Sequence, residues 1–147
     1  MDKYSVLQQY FGYDSFRPGQ EALIDGILQG RDVVGIMPTG GGKSICYQVP
    51  AALLSGITLV VSTLISLMQD QVLALKAVGI PAAYINSSLS LKQLSLVYER
   101  LAGGAYKLVY VAPERLDTER FLHILSGLQV SLLAVDEAHC ISQWGQD

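Results

Sequence analysis

The sequence predicts an α/β protein in which helices cover both faces of a mainly parallel sheet. Segments rich in β-branched residues alternate along the chain with segments whose apolar residues recur every three or four positions. The predicted strands are apolar at successive positions, which is typical of strands that are covered on both faces. The 147 residues, half of them apolar, are the length of one ordinary domain. These observations together favour a three-layer α/β domain.

The N-terminal part of the chain predicts two helices followed by a strand. Apolar residues share one face of a helix over 2–11. A second helix is predicted to begin near Pro18, because proline suits a first helical turn, and to end at Gly30. Residues 32–37 are short, apolar and β-branched, and therefore indicate a buried strand.

The middle of the chain continues this alternation. A helix is predicted over 43–54, with a kink or an early break at Pro50. A buried strand over 57–62 and a helix over 64–78, ended by Gly79, follow.

The C-terminal half repeats the pattern twice. Ser90 is a suitable N-cap for a helix over 90–101, and two glycines stop that helix. The remaining predicted elements are the strands 81–85, 107–111 and 130–135 and a short helix over 118–125.

Composition and charge exclude several classes of protein. Ten basic and 13 acidic residues give a formal charge of −3, so nucleic acid can be bound only through a local patch. No apolar run approaches the roughly 18 residues of a membrane span, and the N-terminal residues do not resemble a signal peptide. Two cysteines far apart in sequence, Cys46 and Cys140, favour a reducing compartment. We therefore expect a cytoplasmic protein without a membrane partner, associated with the nucleoid if it is bacterial.

The segment MPTGGGKS, residues 37–44, predicts a phosphate-binding loop. It follows a predicted strand and opens a predicted helix, which is the setting such a loop needs. Glycines let backbone N–H groups turn toward phosphate oxygens, and the helix N-terminus adds a favourable dipole. Lys43 is expected to reach the β and γ phosphates of ATP, and the Ser44 hydroxyl is expected to bind Mg²⁺. The other predicted nucleotide-binding residues of the loop are Thr39, Gly40, Gly41 and Gly42. The first glycine of the general pattern is replaced by Met37, and a glycine-rich turn with a solvated lysine is the alternative.

Two acids end the last predicted strand and complete a hydrolytic site. Asp136 is expected to hold Mg²⁺ through water, and Glu137 is expected to polarise the attacking water as a general base. The alternative is a solvated acidic pair beyond an edge strand. His139 follows, either as a relay from the γ-phosphate site or as an ordinary surface histidine.

Several motifs, taken in order, resemble those of RecQ-family DNA helicases of superfamily 2. They are FRPGQ at 16–20, MPTGGGKS at 37–44, LISLMQDQ at 64–71, APERL at 112–116 and DEAHCISQWG at 136–145. The resemblance covers nearly the whole chain, and it implies a RecA-like fold of the phosphate-loop class.

The resemblance assigns a base-reading role to three residues near the N-terminus. Gln20 is similar to the family's adenine-reading glutamine, since an amide offers both a donor and an acceptor to the N6/N7 edge of adenine. Tyr13 and Arg17 would flank the base by stacking. The alternatives are an exposed helix residue for Gln20 and a core or surface aromatic for Tyr13.

The resemblance also implies contacts to DNA. The stretch around Ser62, Thr63, Ser66 and Gln69 is similar to a motif that touches the DNA backbone without reading sequence. Thr63 stands where the family usually has proline, and we expect a mild effect on contact geometry. A core helix is the alternative for this stretch, and a turn is the alternative for the segment 112–114.

The last residues resemble an aromatic-rich loop that couples single-stranded DNA to the ATP site. Trp144 offers a face on which any base can stack, Gln143 lies beside it, and His139 precedes it. Packing against an absent segment is the alternative for Trp144. Gln146 departs from the family, which usually has histidine there.

The sequence therefore predicts an N-terminal helical segment, 1–30, and an incomplete first RecA-like lobe, 31–147. The family implies ATP-driven 3′–5′ unwinding of DNA in recombination and repair, with single-stranded and partly duplex DNA as partners. It also implies a second RecA-like lobe beyond these residues, so we expect the chain to be a fragment with weak or no activity of its own. The alternatives are a catalytically silent nucleotide-binding module and a superfamily 2 motor that acts on RNA.

Overall fold

A computed structural model describes residues 1–30 and 43–135 of the chain. The chain divides into two compact units, Met1–Ser55 and Gly56–Asp147. The strand predicted over 32–37 lies outside the described residues. The domain boundary predicted between residues 30 and 31 stays a prediction, because it adjoins that undescribed segment. No helix in the described ranges has the length and apolar character that crossing a membrane requires.

Three helices form the described part of the first unit. They are α1 (Lys3–Phe11), α2 (Gln20–Leu28) and α3 (Ile45–Leu53). Helix α1 begins at Asp2, whose carboxylate accepts a hydrogen bond from the backbone N–H of Ser5 at 2.8 Å. The helices share a core to which each contributes buried apolar residues: Val6, Leu7, Ile24, Ile45 and Val49. The three helices therefore hold one another in place through a common apolar surface.

Two details of these helices differ from the sequence-based expectation. Helix α2 begins at Gln20 rather than near Pro18, because Gly19 has a φ of +88°, which is incompatible with a right-handed helix. Helix α3 continues three residues past Pro50 to Leu53, so the expected early break does not occur. The N–H of Leu54 donates to the carbonyl oxygen of Pro50 at 2.8 Å and closes the last turn.

The described part of the second unit alternates strands and helices, as predicted. Its elements are β1 (Ile57–Val61), α4 (Ile65–Ala77), β2 (Ala82–Ile85), α5 (Leu91–Ala102), β3 (Leu108–Val111), a 3₁₀ turn (Pro113–Arg115), α6 (Glu119–Ser126) and β4 (Val130–Val135). The predicted cap of α5 is confirmed: the Ser90 hydroxyl accepts from the Gln93 N–H, and the Gln93 side chain accepts from the Ser90 N–H. This reciprocal pairing is the capping box, and it fixes where the helix begins.

The four strands form a parallel sheet in the order β2–β3–β1–β4. Leu59, Val109 and Phe121 belong to one core cluster, so α6 covers one face of the sheet, together with α5 through Tyr98. Tyr110 points to the opposite face, since successive strand residues alternate, and its hydroxyl lies 3.4 Å from Oε1 of Gln71 on α4. The unit therefore has the three predicted layers of helix, sheet and helix.

Strand β4 departs from the expectation that every strand is covered on both faces. All residues of β1 and β3 are buried, whereas Val130 and Leu133 of β4 are 40% and 60% exposed. Among the described strands β4 pairs only with β1, so it lies at the edge of the described part of the sheet. An edge strand has fewer neighbours to cover its side chains.

Gly56 allows the first contact between β1 and β4. The N–H of Ile57 donates to the carbonyl oxygen of Gln129 at 2.9 Å. A Cβ atom on Gly56 would lie 2.5 Å from that oxygen and 2.6 Å from Oγ of Ser131, and the φ of Gly56 is +80°. Only glycine lets the two strands approach this closely.

We expect Gly56→Ala to lower the free energy of unfolding by about 2–4 kcal/mol, from left-handed strain plus overpacking. Gly104→Ala is the matched control, because Gly104 has a φ of +78° and a methyl group added there would meet nothing within 4 Å. The control carries the strain alone and should cost about 1 kcal/mol. Urea unfolding measures both values, and equal losses would contradict the close approach.

Lys3 and Tyr4 of α1 hold the first turn of α2 through charged contacts. Nζ of Lys3 lies 2.7 Å from Oε2 of Glu21 and also donates to Asp25 Oδ1. The hydroxyl of Tyr4 donates to the Glu21 carboxylate. We call these four residues the α1–α2 clasp. The hydrogen bond from Lys3 is the main cause that lowers the pKa of Glu21, and bonds to the two carboxylates raise the pKa of Lys3.

The pKa of Glu21 is lower in the folded chain than its ordinary value of 4.5, so its stabilising effect is present above that pH. The effect is lost as the pH falls through the folded pKa. We therefore expect acid to destabilise the native chain more than the Glu21→Gln variant between about pH 6 and pH 3. Urea midpoints across this range measure the difference, and parallel curves would show that the clasp contributes nothing.

Candidate functional site

A tight turn before α2 positions Gln20, the predicted adenine-reading residue. The backbone N–H of Arg17 donates to Oε1 of Gln20 at 2.7 Å, and the N–H of Gln20 donates back to the Arg17 carbonyl oxygen at 3.1 Å. Gln20 is only 3% exposed. It is therefore not the exposed helix residue of the alternative interpretation. Its carbonyl oxygen has two lone pairs, so it can accept from Arg17 and from a second donor such as an exocyclic amine.

The two predicted stacking residues lie on the surface near this turn. Tyr13 follows Gly12, which ends α1 with a φ of +76°, and Tyr13 is 51% exposed. Tyr13 is thus not a core aromatic. Arg17 is also exposed. An exposed ring and an exposed guanidinium group can stack on a planar base without first leaving a packed core.

The predicted phosphate-binding residues Lys43 and Ser44 stand at the start of α3. Ser44 is the N-cap residue, but its hydroxyl makes no capping hydrogen bond to the helix. Its carbonyl oxygen accepts from the Gln48 N–H at 2.9 Å. The hydroxyl of Ser44 is therefore not needed to start the helix, and an oxygen of this kind suits Mg²⁺. The helix N-terminus adds a favourable field for anions.

The base-reading turn and the phosphate helix belong to the same compact unit. Ile24 lies one helical turn after Gln20, and Ile45 directly follows Ser44. These two isoleucines belong to the same apolar core. The two predicted parts of a nucleotide site are thus carried by helices that pack on each other.

Cys46 lies within the first turn of α3 and is buried. Burial raises the pKa of its thiol, so the thiolate is disfavoured at neutral pH. It behaves as a core residue and not as a nucleophile.

The second unit gathers polar residues at the carboxyl edge of its sheet. Val61, Val111 and Val135 are paired across the sheet, and Ile85 is paired with Val111, so all four strands end in one row. The residues that follow β1, β2 and β3 are Ser62, Asn86 and Ala112. Asp136 follows β4 in sequence and lies outside the described residues. Ligands of parallel α/β sheets bind beyond this edge.

Ser62 organises the turn that leads from β1 into α4. Its hydroxyl accepts from the N–H of Leu64 at 3.3 Å, and Leu64 is the residue that precedes the helix. Thr63 is exposed and does not cap the helix, so the turn forms without the proline usual in the family. Ser66 is exposed in the first helical turn. Of the residues predicted to touch a DNA backbone, Thr63 and Ser66 are thus exposed and Ser62 is buried.

A buried asparagine joins this helix to the loop after β2. Asn86 is 0% exposed, and its Oδ1 accepts from the Ser88 N–H at 2.9 Å and from the Ser88 hydroxyl at 2.6 Å. Its Nδ2 donates to Sδ of Met68 at 3.3 Å. Nε2 of Gln69 donates to the Ser88 hydroxyl at 3.3 Å. We call Met68, Gln69, Asn86 and Ser88 the Asn86 network.

Asn86 and Ser88 were not identified from the sequence. The available signal was polar residues directly after a buried strand, which in a parallel sheet emerge at the edge where ligands bind. The same signal is present at Asp136, whereas the prediction at Ser62 rests on the resemblance to a family motif.

The remaining predicted site residues lie outside the described residues. They are Thr39, Gly40, Gly41, Gly42, Asp136, Glu137, His139, Gln143 and Trp144. Their roles stay predictions.

We expect Asn86→Ala to lower the free energy of unfolding by about 1–3 kcal/mol, because a buried polar centre with three hydrogen bonds is lost. Ser87→Ala is the neighbouring control at an exposed position, and it should change stability by about 0.5 kcal/mol or less. Urea denaturation compares the two. Similar losses would show that Asn86 does not hold the loop.

Comparison with known proteins places these features in a family. The sequence profile described as DEAD/DEAH box helicase matches residues 17–147. The chain is 56%, 54% and 52% identical to the ATP-dependent DNA helicases RecQ of Bacillus subtilis, Pasteurella multocida and Haemophilus influenzae. Each alignment includes 97% of this chain but only 24%, 22% and 23% of the relative. The chain thus spans about a quarter of the length of these curated relatives.

A solved structure supports the fold. A protein from Sulfolobus tokodaii, described as a hypothetical ATP-dependent RNA helicase, matches with a TM-score of 0.73 at 23% identity. The match covers 97% of this chain and 43% of that one. It confirms the predicted RecA-like α/β fold. Since the family profile matches most of the chain, the chain belongs to the DEAD/DEAH box helicase family.

Proposed function

We propose that the chain is the N-terminal part of the first motor lobe of an ATP-dependent DNA helicase. The observation that carries this proposal is identity above 50% to three RecQ helicases over nearly the whole chain. Two observations support it. The buried Gln20 amide is held in one orientation and can bind adenine, and the Ser44 hydroxyl does not cap α3 and can bind a metal. The parent protein hydrolyses ATP and unwinds DNA 3′ to 5′ in recombination and repair.

In this proposal, different residues of the chain bind the base, the phosphates and the metal of the nucleotide. Gln20 reads the adenine edge, and Tyr13 and Arg17 stack against the base. Lys43 neutralises charge on the β and γ phosphates, and the backbone of Thr39 to Gly42 cradles them. Ser44 and Asp136 are the residues that would hold Mg²⁺, which supplies charge neutralisation to the phosphates when bound. Glu137 orients the attacking water and accepts its proton.

The nucleic-acid interface lies along the carboxyl edge of the sheet. Ser62, Thr63, Ser66 and Gln69 present hydroxyl and amide groups, which bind phosphates without reading bases. The Asn86 network fixes Gln69 within this interface. His139, Gln143 and Trp144 couple single-stranded DNA to the nucleotide, with Trp144 as a stacking surface worth about 1–3 kcal/mol per base. Partly duplex DNA is the substrate on which the parent acts.

The named relatives favour DNA over RNA as the substrate, and experiment separates the two. The three relatives above 50% identity are DNA helicases by name, whereas the RNA helicase match rests on fold at 23% identity. Stimulation of ATP hydrolysis by single-stranded DNA and by RNA, compared in the parent, separates the two motors. An ATP-dependent enzyme that acts on chromosomal DNA needs both ATP and the chromosome. We therefore include in this proposal the cytoplasmic location, at the nucleoid if the protein is bacterial, that the sequence predicts.

We expect the 147-residue chain to hydrolyse ATP weakly or not at all. The family's second lobe supplies an arginine toward the γ-phosphate, and such a residue contributes about 10³–10⁵ in rate. Steady-state hydrolysis with and without single-stranded DNA measures this. DNA-stimulated turnover by the chain alone would mean that one lobe is sufficient. ATP binding without turnover, in both the chain and the parent, would favour the silent nucleotide-binding module.

In the parent protein we expect Lys43→Ala to abolish DNA-stimulated hydrolysis, because charge on the β and γ phosphates is no longer neutralised. Glu137→Gln should bind ATP but stop turnover, since the amide cannot accept a proton from water. Lys92→Ala, at an exposed position of α5, is the control that removes a lysine elsewhere and should keep full activity. Full activity of Lys43→Ala would refute the site assignment.

A further inference from the structure

We propose that helix α1 sets the preference of the nucleotide site for adenine, because the α1–α2 clasp holds the turn that orients the Gln20 amide. Lys3 and Tyr4 are positioning residues in this account, and neither touches the nucleotide. The inference rests on the base-reading role proposed above for Gln20.

The turn fixes the positions of the oxygen and the NH₂ group of the Gln20 amide. Oε1 of Gln20 accepts from the Arg17 N–H at 2.7 Å. If the amide rotated by half a turn, its NH₂ group would face the Arg17 N–H, and two donors would oppose each other. Adenine presents an N6 donor beside the N7 acceptor, whereas guanine presents two acceptors, O6 and N7. An amide held in this orientation is therefore matched to adenine. An amide that rotates loses this match and gains none to guanine, since guanine presents two acceptors and the amide has only one donor group.

Two hydrogen bonds between Arg17 and Gln20 close the turn, but its pivot is a glycine. Gly19 has a φ of +88° and no side chain to cap α2. Glycine is the residue with the largest conformational freedom to lose on folding. Contacts from another element therefore add to the two hydrogen bonds that hold this backbone.

Helix α1 supplies those contacts on both sides of the turn. Before the turn, the ring of Tyr4 packs on Phe16, with centroids 5.7 Å apart. After the turn, the Tyr4 hydroxyl and Nζ of Lys3 both bind the carboxylate of Glu21, the residue next to Gln20.

The clasp also continues into α2. Lys3 binds Asp25, one turn further along the helix. The side chain of Lys3 is only 17% exposed, so most of its length packs against the two helices. Two adjacent residues of α1 thus fix the segment from Phe16 to Glu21 at both ends. A displacement of about 1 Å in this segment is enough to misalign the Gln20 amide with the edge of the adenine.

The test is the ratio of ATP to GTP affinity of the full chain, measured by competition against a fluorescent ATP analogue in the presence of Mg²⁺. Lys3→Met removes the ion pairs and keeps the aliphatic length, while Tyr4→Phe keeps the ring on Phe16 and removes the hydroxyl. We expect each variant to bind ATP about fivefold more weakly with GTP affinity unchanged, which corresponds to about one hydrogen bond. Lys3→Arg should restore the native ratio, since it keeps the charge, and Lys92→Met is the control.

Equal weakening of ATP and GTP would overturn the proposal, because it would mean that α1 only stabilises the unit. An unchanged ratio in Tyr4→Phe would overturn it as well, even if Lys3→Met failed to fold. Gln20→Ala separates this inference from the proposed function. If Gln20→Ala abolishes the preference and the clasp variants keep it, the clasp inference alone is wrong. If Gln20→Ala keeps the preference, the base-reading role itself is wrong.

Discussion

Parallel pairing with all strand ends in one row is the constraint on which the second unit depends. Val61, Ile85, Val111 and Val135 end their strands side by side. Because each next residue leaves the sheet at the same edge, side chains that are far apart in sequence emerge as neighbours. Ser62 and Asn86 leave the sheet at this edge on either side of β3, and each uses its side chain to fix the loop that it begins. The proposed nucleic-acid interface thus consists of residues that begin loops, and the buried strands keep those residues in place.

The first unit places its predicted functional groups differently, at the starts of helices. There the predicted functional groups stand at helix starts, Gln20 on α2 and Ser44 on α3, and a shared core of isoleucines relates them. A helix start leaves backbone N–H groups available, which favours anions at Ser44. At Gln20 the side chain itself completes the turn with Arg17, so the residue that is predicted to read the base also shapes its own support.

Much of this arrangement can be predicted from sequence because it is local. The cap at Ser90, the buried strand β1 and the helix α4 follow from neighbouring residues and their periodicity, and the structure confirms them. The expectations that failed involve what surrounds a residue. Pro18 does not enter α2, because Gly19 takes a left-handed conformation. Of the two outcomes expected at Pro50, a kink or an early break of α3, the early break does not occur. Leu133 is exposed because β4 lies at the edge of the described sheet, which the strand's own composition does not reveal.

The candidate site also has residues that the sequence can indicate and residues that only the fold reveals. Gln20, Lys43 and Ser44 could be proposed from motifs, because the chemistry of phosphate and adenine fixes residue types at short spacing, and their roles stay predictions. Asn86 could not, because its partners Met68 and Gln69 lie on another element and only the fold brings them together. The clasp from Lys3 to Glu21 was missed for the same reason, since no sequence period links α1 to α2.

The most direct test of the account is an NMR titration of the ¹⁵N-labelled chain with Mg²⁺–ATP. We expect the side-chain amide of Gln20 and the backbone amides of Ser44 and Ile45 to shift together, with one affinity. The residues of the Asn86 network should not respond to nucleotide alone. Shifts confined to the carboxyl edge of the sheet, with Gln20 and Ser44 unchanged, would contradict the nucleotide site described here.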